Sequence, residues 1–130
     1  MATPWLDFGY FHAVDWWFAN GSLRDPGPAA MWTRLRVPVV PDEEPTPLQR
    51  VAGVADTSSG ISAELDFATH MFINVDYTVH LVRELYGEWV LLDAVTSIGP
   101  EGSGLCRTRM CDDHGDLGNV AQTLFVSRRD

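Results

Sequence analysis

Three polar residues fall on or beside stripes of the sequence that should be apolar: Asp56, Asn74 and Gln122. A carboxylate can take up or release a proton, and a side-chain amide can hold a ligand by hydrogen bonds. A buried polar group is costly unless it is paired, so each of the three needs a reason. Asp56 lies four residues after Ala52, beside the apolar stripe of a predicted helix and near its C-terminal end. The helix dipole disfavours an anion there. Asp56 therefore either serves a function or bonds to Thr57, Ser58 or Ser59 and shapes the helix end. Gln122 shares a predicted strand face with Val120, Leu124 and Val126. The pattern favours a satisfied core amide over a ligand donor. Asn74 alternates with Asp76, Thr78 and His80 on a predicted strand, which reads as a solvated face. Phe72 precedes it on that face, so the start of the strand is a candidate for burial on both sides.

Other sources of reactivity carry less. His12, His70, His80 and His114 are scattered, and no metal site is expected from them together with two cysteines. Cys106 and Cys111 are five apart, so on one regular strand they face opposite sides and read as small apolar thiols. The chain has no G-x-S-x-G elbow, no P-loop and no G-x-G-x-x-G turn.

The elements that must position these residues follow from periodicity and turn chemistry. Residues 10–18 are aromatic-rich and read as a strand. Residues 30–38 alternate, with Trp32, Arg34 and Arg36 on one face and Met31, Thr33, Leu35 and Val37 on the other. Thr46 is the expected N-cap of a helix that starts at Pro47. Leu48, Val51, Ala52 and Ala55 follow at helical spacing, and Gly53 among them would allow a sheet to approach closely. Gly60 is the expected stop, after Thr57, Ser58 and Ser59. Strands are predicted over 71–82, 89–98, 105–111 and 119–127, with a polar loop at 112–118. The order β-β-α-β-β-β-β implies an α+β domain in which one helix packs on an antiparallel sheet of about six strands.

The chain has 130 residues, which suits one domain. No apolar run reaches the roughly 18–20 residues of a membrane span. Residues 1–10 contain Asp7 and no basic residue, so no secretory signal is expected and a cytoplasmic location follows by default. The net charge is −9 and all basic residues are arginines. Such a balance does not suit nucleic acid or an anionic membrane surface.

Several stretches together resemble the C-terminal half of the bacterial thioesterase II family of acyl-CoA thioesterases. They are Phe72-Ile73-Asn74-Val75-Asp76-Tyr77-Thr78-Val79-His80, Gly87-Glu88-Trp89-Val90, Ala121-Gln122-Thr123 ahead of Arg128, Trp32-x-Arg34-x-Arg36, and Val54-Ala55-Asp56. The resemblance runs from about residue 10 to 128. It implies a hot-dog fold, a curved antiparallel sheet wrapped around a helix, and hydrolysis of acyl-CoA to free acid and coenzyme A. Coenzyme A is then part of the substrate, and no separate cofactor is implied. The family's catalytic Asp, small polar residue and Gln fall on Asp56, Asn74 and Gln122, with Asn74 standing where Thr is more typical. Asp56 would be the general base toward a water.

Gly53, Arg34, Arg36 and Arg83 are the candidate substrate-binding residues, with Arg107 and Arg109 as further partners for the cofactor's phosphates. The family carries two hot-dog units in tandem. A chain with room for one unit implies a homodimer or pairing with a second hot-dog unit. A non-catalytic acyl-thioester binding module, or half of a two-unit enzyme, is the alternative reading.

Overall fold

The computed structural model describes residues 9–130. The start of the chain, where a signal was not expected, lies outside the described residues as far as position 8. The elements are α1 (Gly9–Ala13), β1 (Val14–Asn20), β2 (Ala29–Leu35), α2 (Pro47–Ala55), α3 (Ser58–Ile61), β3 (His70–Leu81), β4 (Trp89–Ile98), β5 (Ser103–Asp112) and β6 (Gly115–Arg128). The strands form one antiparallel sheet in the order β1-β2-β4-β5-β6-β3. No helix among the described residues is long and apolar enough to cross a membrane.

The helix start is the one its chemistry dictates. Thr46 accepts a hydrogen bond from the Gln49 amide, and the Gln49 side chain accepts one from the Thr46 amide, with Pro47 at the first helical position. This reciprocal cap satisfies two backbone donors and contributes about 1 kcal/mol. Val51, Val54 and Ala55 of α2 are buried against Met31 and Leu35 of β2, Val90 and Leu92 of β4, Met110 of β5, and Val120 and Leu124 of β6. In β2 the alternation holds, with Ala29, Met31, Thr33 and Leu35 all inward.

Three local expectations are corrected. Residues 10–18 are not all strand: a helical turn, α1, precedes β1. Its Tyr10 hydroxyl bonds to α2, and Tyr10 and Phe11 pack on Trp16, so docking overrides the strand preference of the aromatics. The single helix is interrupted rather than extended. α2 ends at Ala55, and one further turn, α3, follows, with Gly60 inside it. The hydroxyls of Ser58 and Ser62 bond to the carbonyls of Ala55 and Ser58, which breaks and restarts the helix. The loop at 112–118 shrinks to a two-residue hairpin, because Asp112 already pairs with Gly115. Further along β6, Gly118 lets β3 pair closely, because a β-carbon there would run into the His80 carbonyl group. The two cysteines do face opposite sides: Cys106 is in the core opposite Gln122, whereas Cys111 lies opposite Leu91 and Asp116 on the other face, and both are buried and free.

Candidate active site

The polar residue at the end of α2 and the polar residues of two strands meet in one place. Asp56 is the C-cap of α2. Asn74 lies near the start of β3 and Gln122 in the middle of β6, and these two strands are neighbours. The Asn74 Nδ2 donates to Asp56 Oδ1 in a short hydrogen bond. The Gln122 Nε2 donates to the Asp56 carbonyl oxygen at 3.1 Å and to Oδ1 at 3.3 Å. Among the described residues the second carboxylate oxygen, Oδ2, has no hydrogen-bond partner, and the Asp56 side chain is exposed to the cleft.

A β-bulge aims Asn74 inward. Asn74 pairs with Leu124, but the next pair is Asp76 with Thr123, so Val75 is unpaired. Directly opposed residues share a face. Phe72 and Asn74 therefore lie on the face of Val126 and Leu124, and after the bulge Tyr77, Val79 and Leu81 take that face with Gln122, Val120 and Gly118. The expected grouping of Asn74 with Asp76, Thr78 and His80 is corrected: those three point outward and Asn74 does not. The Asp76 carboxylate accepts a hydrogen bond from the Thr123 amide beside the bulge. Bulges re-aim side chains in this way, often next to active sites.

Gln122 is the core amide that its face predicted, and it also reaches Asp56. It is fully buried. Both atoms it meets on Asp56 are acceptors, so its nitrogen must face them. Its Oε1 then points away and has no partner among the described residues. Gln122 does not line the cleft. It bonds to Asp56 from behind the cleft wall.

The cleft has a volume of about 710 Å³. Phe11, Leu23, Ile61 and Phe67 make its apolar wall, and Asp56, Thr57, Ser59, Asn74 and Tyr77 its polar one. Tyr10, Ala52, Gly53 and Gly60 complete the lining. Tyr10, Tyr77 and Ser59 were not anticipated in the sequence. Tyr10 lies in a segment that reads as strand, and Tyr77 on a face that reads only as apolar. The Tyr10 hydroxyl donates to the Gly53 carbonyl oxygen at 2.6 Å and lies 2.8 Å from the Thr57 hydroxyl. Burial pushes its pKa up, the nearby Asp56 and Tyr77 add to the rise, and the Thr57 hydrogen bond opposes it. Tyr10 stays a neutral donor that ties α1 to the last turn of α2.

Gly53 lines this cleft, but its missing side chain is not required for close packing. A β-carbon there would sit 3.5 Å from Leu35, an ordinary contact. The candidate arginines lie elsewhere, and four of the five are paired with carboxylates. Arg34 donates twice to Asp15 and stacks over Trp89. Arg36 lies 3.6 Å from Asp15. Arg83 makes a two-pronged pair with Asp112, and Arg109 pairs with Asp116. Arg34 and Arg36 border a separate groove of about 590 Å³ shared with Asp42, Glu43, Glu44 and Glu88. Arg107 borders a groove on the outer sheet face with Asp93, Arg109 and Asp116. None of these five arginines lines the cleft.

Comparison with known proteins follows the same direction. The family model described as "Acyl-CoA thioesterase C-terminal domain" matches residues 1–126. No curated protein matches the chain. Among solved structures it is similar to acyl-CoA thioesterase II of Mycobacterium marinum, at 19% identity and TM-score 0.69, covering 100% of this chain and 56% of that one. A tesB protein of Mycobacterium avium subspecies paratuberculosis is similar at 16% identity and TM-score 0.64, covering 88% of this chain and 48% of that one. A hot-dog-fold protein of unknown function from Alicyclobacillus acidocaldarius is similar at 15% identity and TM-score 0.68, covering 92% of this chain and 47% of that one. These likenesses identify the fold as a hot dog. The chain spans about half the length of these three structures.

Proposed function

The chain belongs to the family of acyl-CoA thioesterase C-terminal domains, and on that premise we propose that it hydrolyses acyl-CoA thioesters to a free acid and coenzyme A. The observation that carries the proposal is the division of labour on the Asp56 carboxylate. Oδ1 accepts from two neutral amide donors, and Oδ2 is left open toward a cleft with an apolar wall.

In the proposed reaction a water sits between Oδ2 and the thioester carbonyl carbon. Asp56 takes one of its protons as the oxygen attacks, so a C–O bond forms. The C–S bond then breaks, and the thiol of coenzyme A leaves with the proton that Asp56 returns. Asn74 and Gln122 fix the carboxylate by hydrogen bonds that a rotating side chain would lose, which is the entropic part of catalysis. Gln122 acts from behind Asp56 and not on the water. Ser59 is not a competing nucleophile, because its hydroxyl hydrogen goes to an amide oxygen and not to a base. The acyl chain lies along Phe11, Leu23, Ile61 and Phe67.

The proposal extends to a partner. β3 is an edge strand of twelve residues whose outer backbone groups are unpaired within the sheet. It carries exposed Ile73 and Val75. Long apolar edges are pairing surfaces. Together with the half-length match, this supports a homodimer or pairing with a second hot-dog unit. The two free buried thiols suit a reducing compartment such as the cytoplasm.

The test is thiol release from a panel of acyl-CoA esters by the purified protein and its Asp56→Ala variant. Release that the substitution abolishes supports the reading. A folded protein that releases no thiol, and co-purifies with intact acyl-CoA, would be a binding module instead.

A further inference from the structure

We propose that Ser59 is a positioning residue that acts through Asn74 to hold the Asp56 carboxylate, an assignment that rests on the thioesterase reading for its kinetic consequences. The chain of contacts is directional. Ser59 Oγ donates to Asn74 Oδ1 at 3.1 Å, and Asn74 Nδ2 donates to Asp56 Oδ1. A carboxylate only accepts, so Asp56 selects which end of the Asn74 amide faces it. That selection leaves the other end, Oδ1, without a donor unless something supplies one, and leaves the plane of the amide free to rotate. Ser59 supplies the donor and fixes the plane.

The local structure commits Ser59 to this task. The residue is buried, retaining 8% of its exposure. The neighbouring Ser58 hydroxyl bonds to the Ala55 carbonyl oxygen and Ser62 bonds back to Ser58. These bonds restart the helix as α3 and bring residue 59 to the cleft against β3. The bulge at Val75 brings Asn74 from the other side. The amide of residue 74 carries its donor and its acceptor on two separate atoms, and Ser59 meets the acceptor while the donor meets Asp56. Asp56 is thus braced from α3 and β3 through Ser59 and Asn74, and from β6 through Gln122.

The experiment compares Ser59→Ala and Ser59→Thr, each alone and in an Asn74→Ala background, by steady-state hydrolysis of an acyl-CoA ester. Ser59→Ala should lower kcat about tenfold with KM unchanged, the size expected for loss of one neutral hydrogen bond. Ser59→Thr keeps the donor and should recover most of that loss. In the Asn74→Ala background Ser59→Ala should cost nothing more. An equal loss in both backgrounds, or no loss in the parent, overturns the proposal. A second readout does not depend on activity. The side-chain amide protons of Asn74, assigned by their disappearance in Asn74→Ala, should shift and broaden in Ser59→Ala and stay in place in Ser59→Thr. Unchanged resonances in Ser59→Ala overturn the assignment. A wild-type protein that releases no thiol but shows these shifts would refute the thioesterase reading and leave the positioning role intact.

Discussion

Two aspartates in this molecule end a regular element and gather hydrogen bonds, yet they are built for opposite purposes. Asp112 closes the β5–β6 hairpin. Its Oδ1 accepts from Arg83 and from the His114 amide, and its Oδ2 accepts from Arg83 and from the Tyr86 amide. The side chain is fully buried. The Arg83 guanidinium, with the two backbone amides, holds its pKa far below the ordinary carboxylate range against the opposing effect of burial. Asp56 ends α2 in the open cleft, holds two neutral amides on one oxygen, and keeps the other oxygen free. A carboxylate whose lone pairs are all committed, with a cation among its partners, is a structural pin. A carboxylate with one reserved oxygen and no cation beside it suits the proposed general base. The number and charge of the donors separates the two roles.

The largest effect that separates them concerns stability. Asp112→Ala leaves Arg83 and two backbone amides without their acceptor, and should cost about 3 kcal/mol. Chemical denaturation would show it, with the kcat of the remaining folded protein close to wild type. The acid limb sharpens this. The folded pKa of Asp112 is depressed, so its contribution is present above the ordinary carboxylate value of about 4 and is lost as pH falls further. Wild type should therefore lose stability below about pH 4 more steeply than Asp112→Asn. Equal slopes would show that Asp112 is not the pin.

Gln122 gives the intermediate case. Its Oε1 is buried and has no partner among the described residues, a feature that costs about 1 kcal/mol or more. Gln122→Leu removes that atom along with the two bonds to Asp56. Urea midpoints should stay level or rise, whereas kcat should drop about tenfold or more. A variant with full turnover would mean that Asp56 needs no brace from β6. The smallest effect is at Gly53. Its substitution by Ala adds a β-carbon with room beside Leu35, and should stabilise α2 by about 0.5–1 kcal/mol. Destabilisation would show that the backbone there needs glycine after all.

What the sequence made legible was local. The Thr46 cap and Pro47, the alternation of β2, and both ends of β4 follow from neighbours within a few positions. Asp56, Asn74 and Gln122 could be nominated because each broke a local rule or matched a family motif, and the structure brings all three together. Long-range geometry was not legible. Val75 carries no signal that it will be skipped in the ladder, so Asn74 was assigned to the wrong set of neighbours. Arg34 and Asp15 are nineteen positions apart, and Arg83 and Asp112 twenty-nine. Arginines that looked free in the sequence were already spoken for by these distant carboxylates. The docking of Tyr10 on α2, forty-three positions away, was hidden for the same reason.

The most direct test of the account is the turnover of Asp56→Asn on an acyl-CoA ester that the wild type hydrolyses, with its folding checked by thermal denaturation. Asn keeps the shape and removes the base. The account predicts a loss of kcat of at least about a hundredfold, the scale of general-base catalysis, at an unchanged melting temperature. Turnover equal to wild type would contradict it and would move the base to another residue of the cleft.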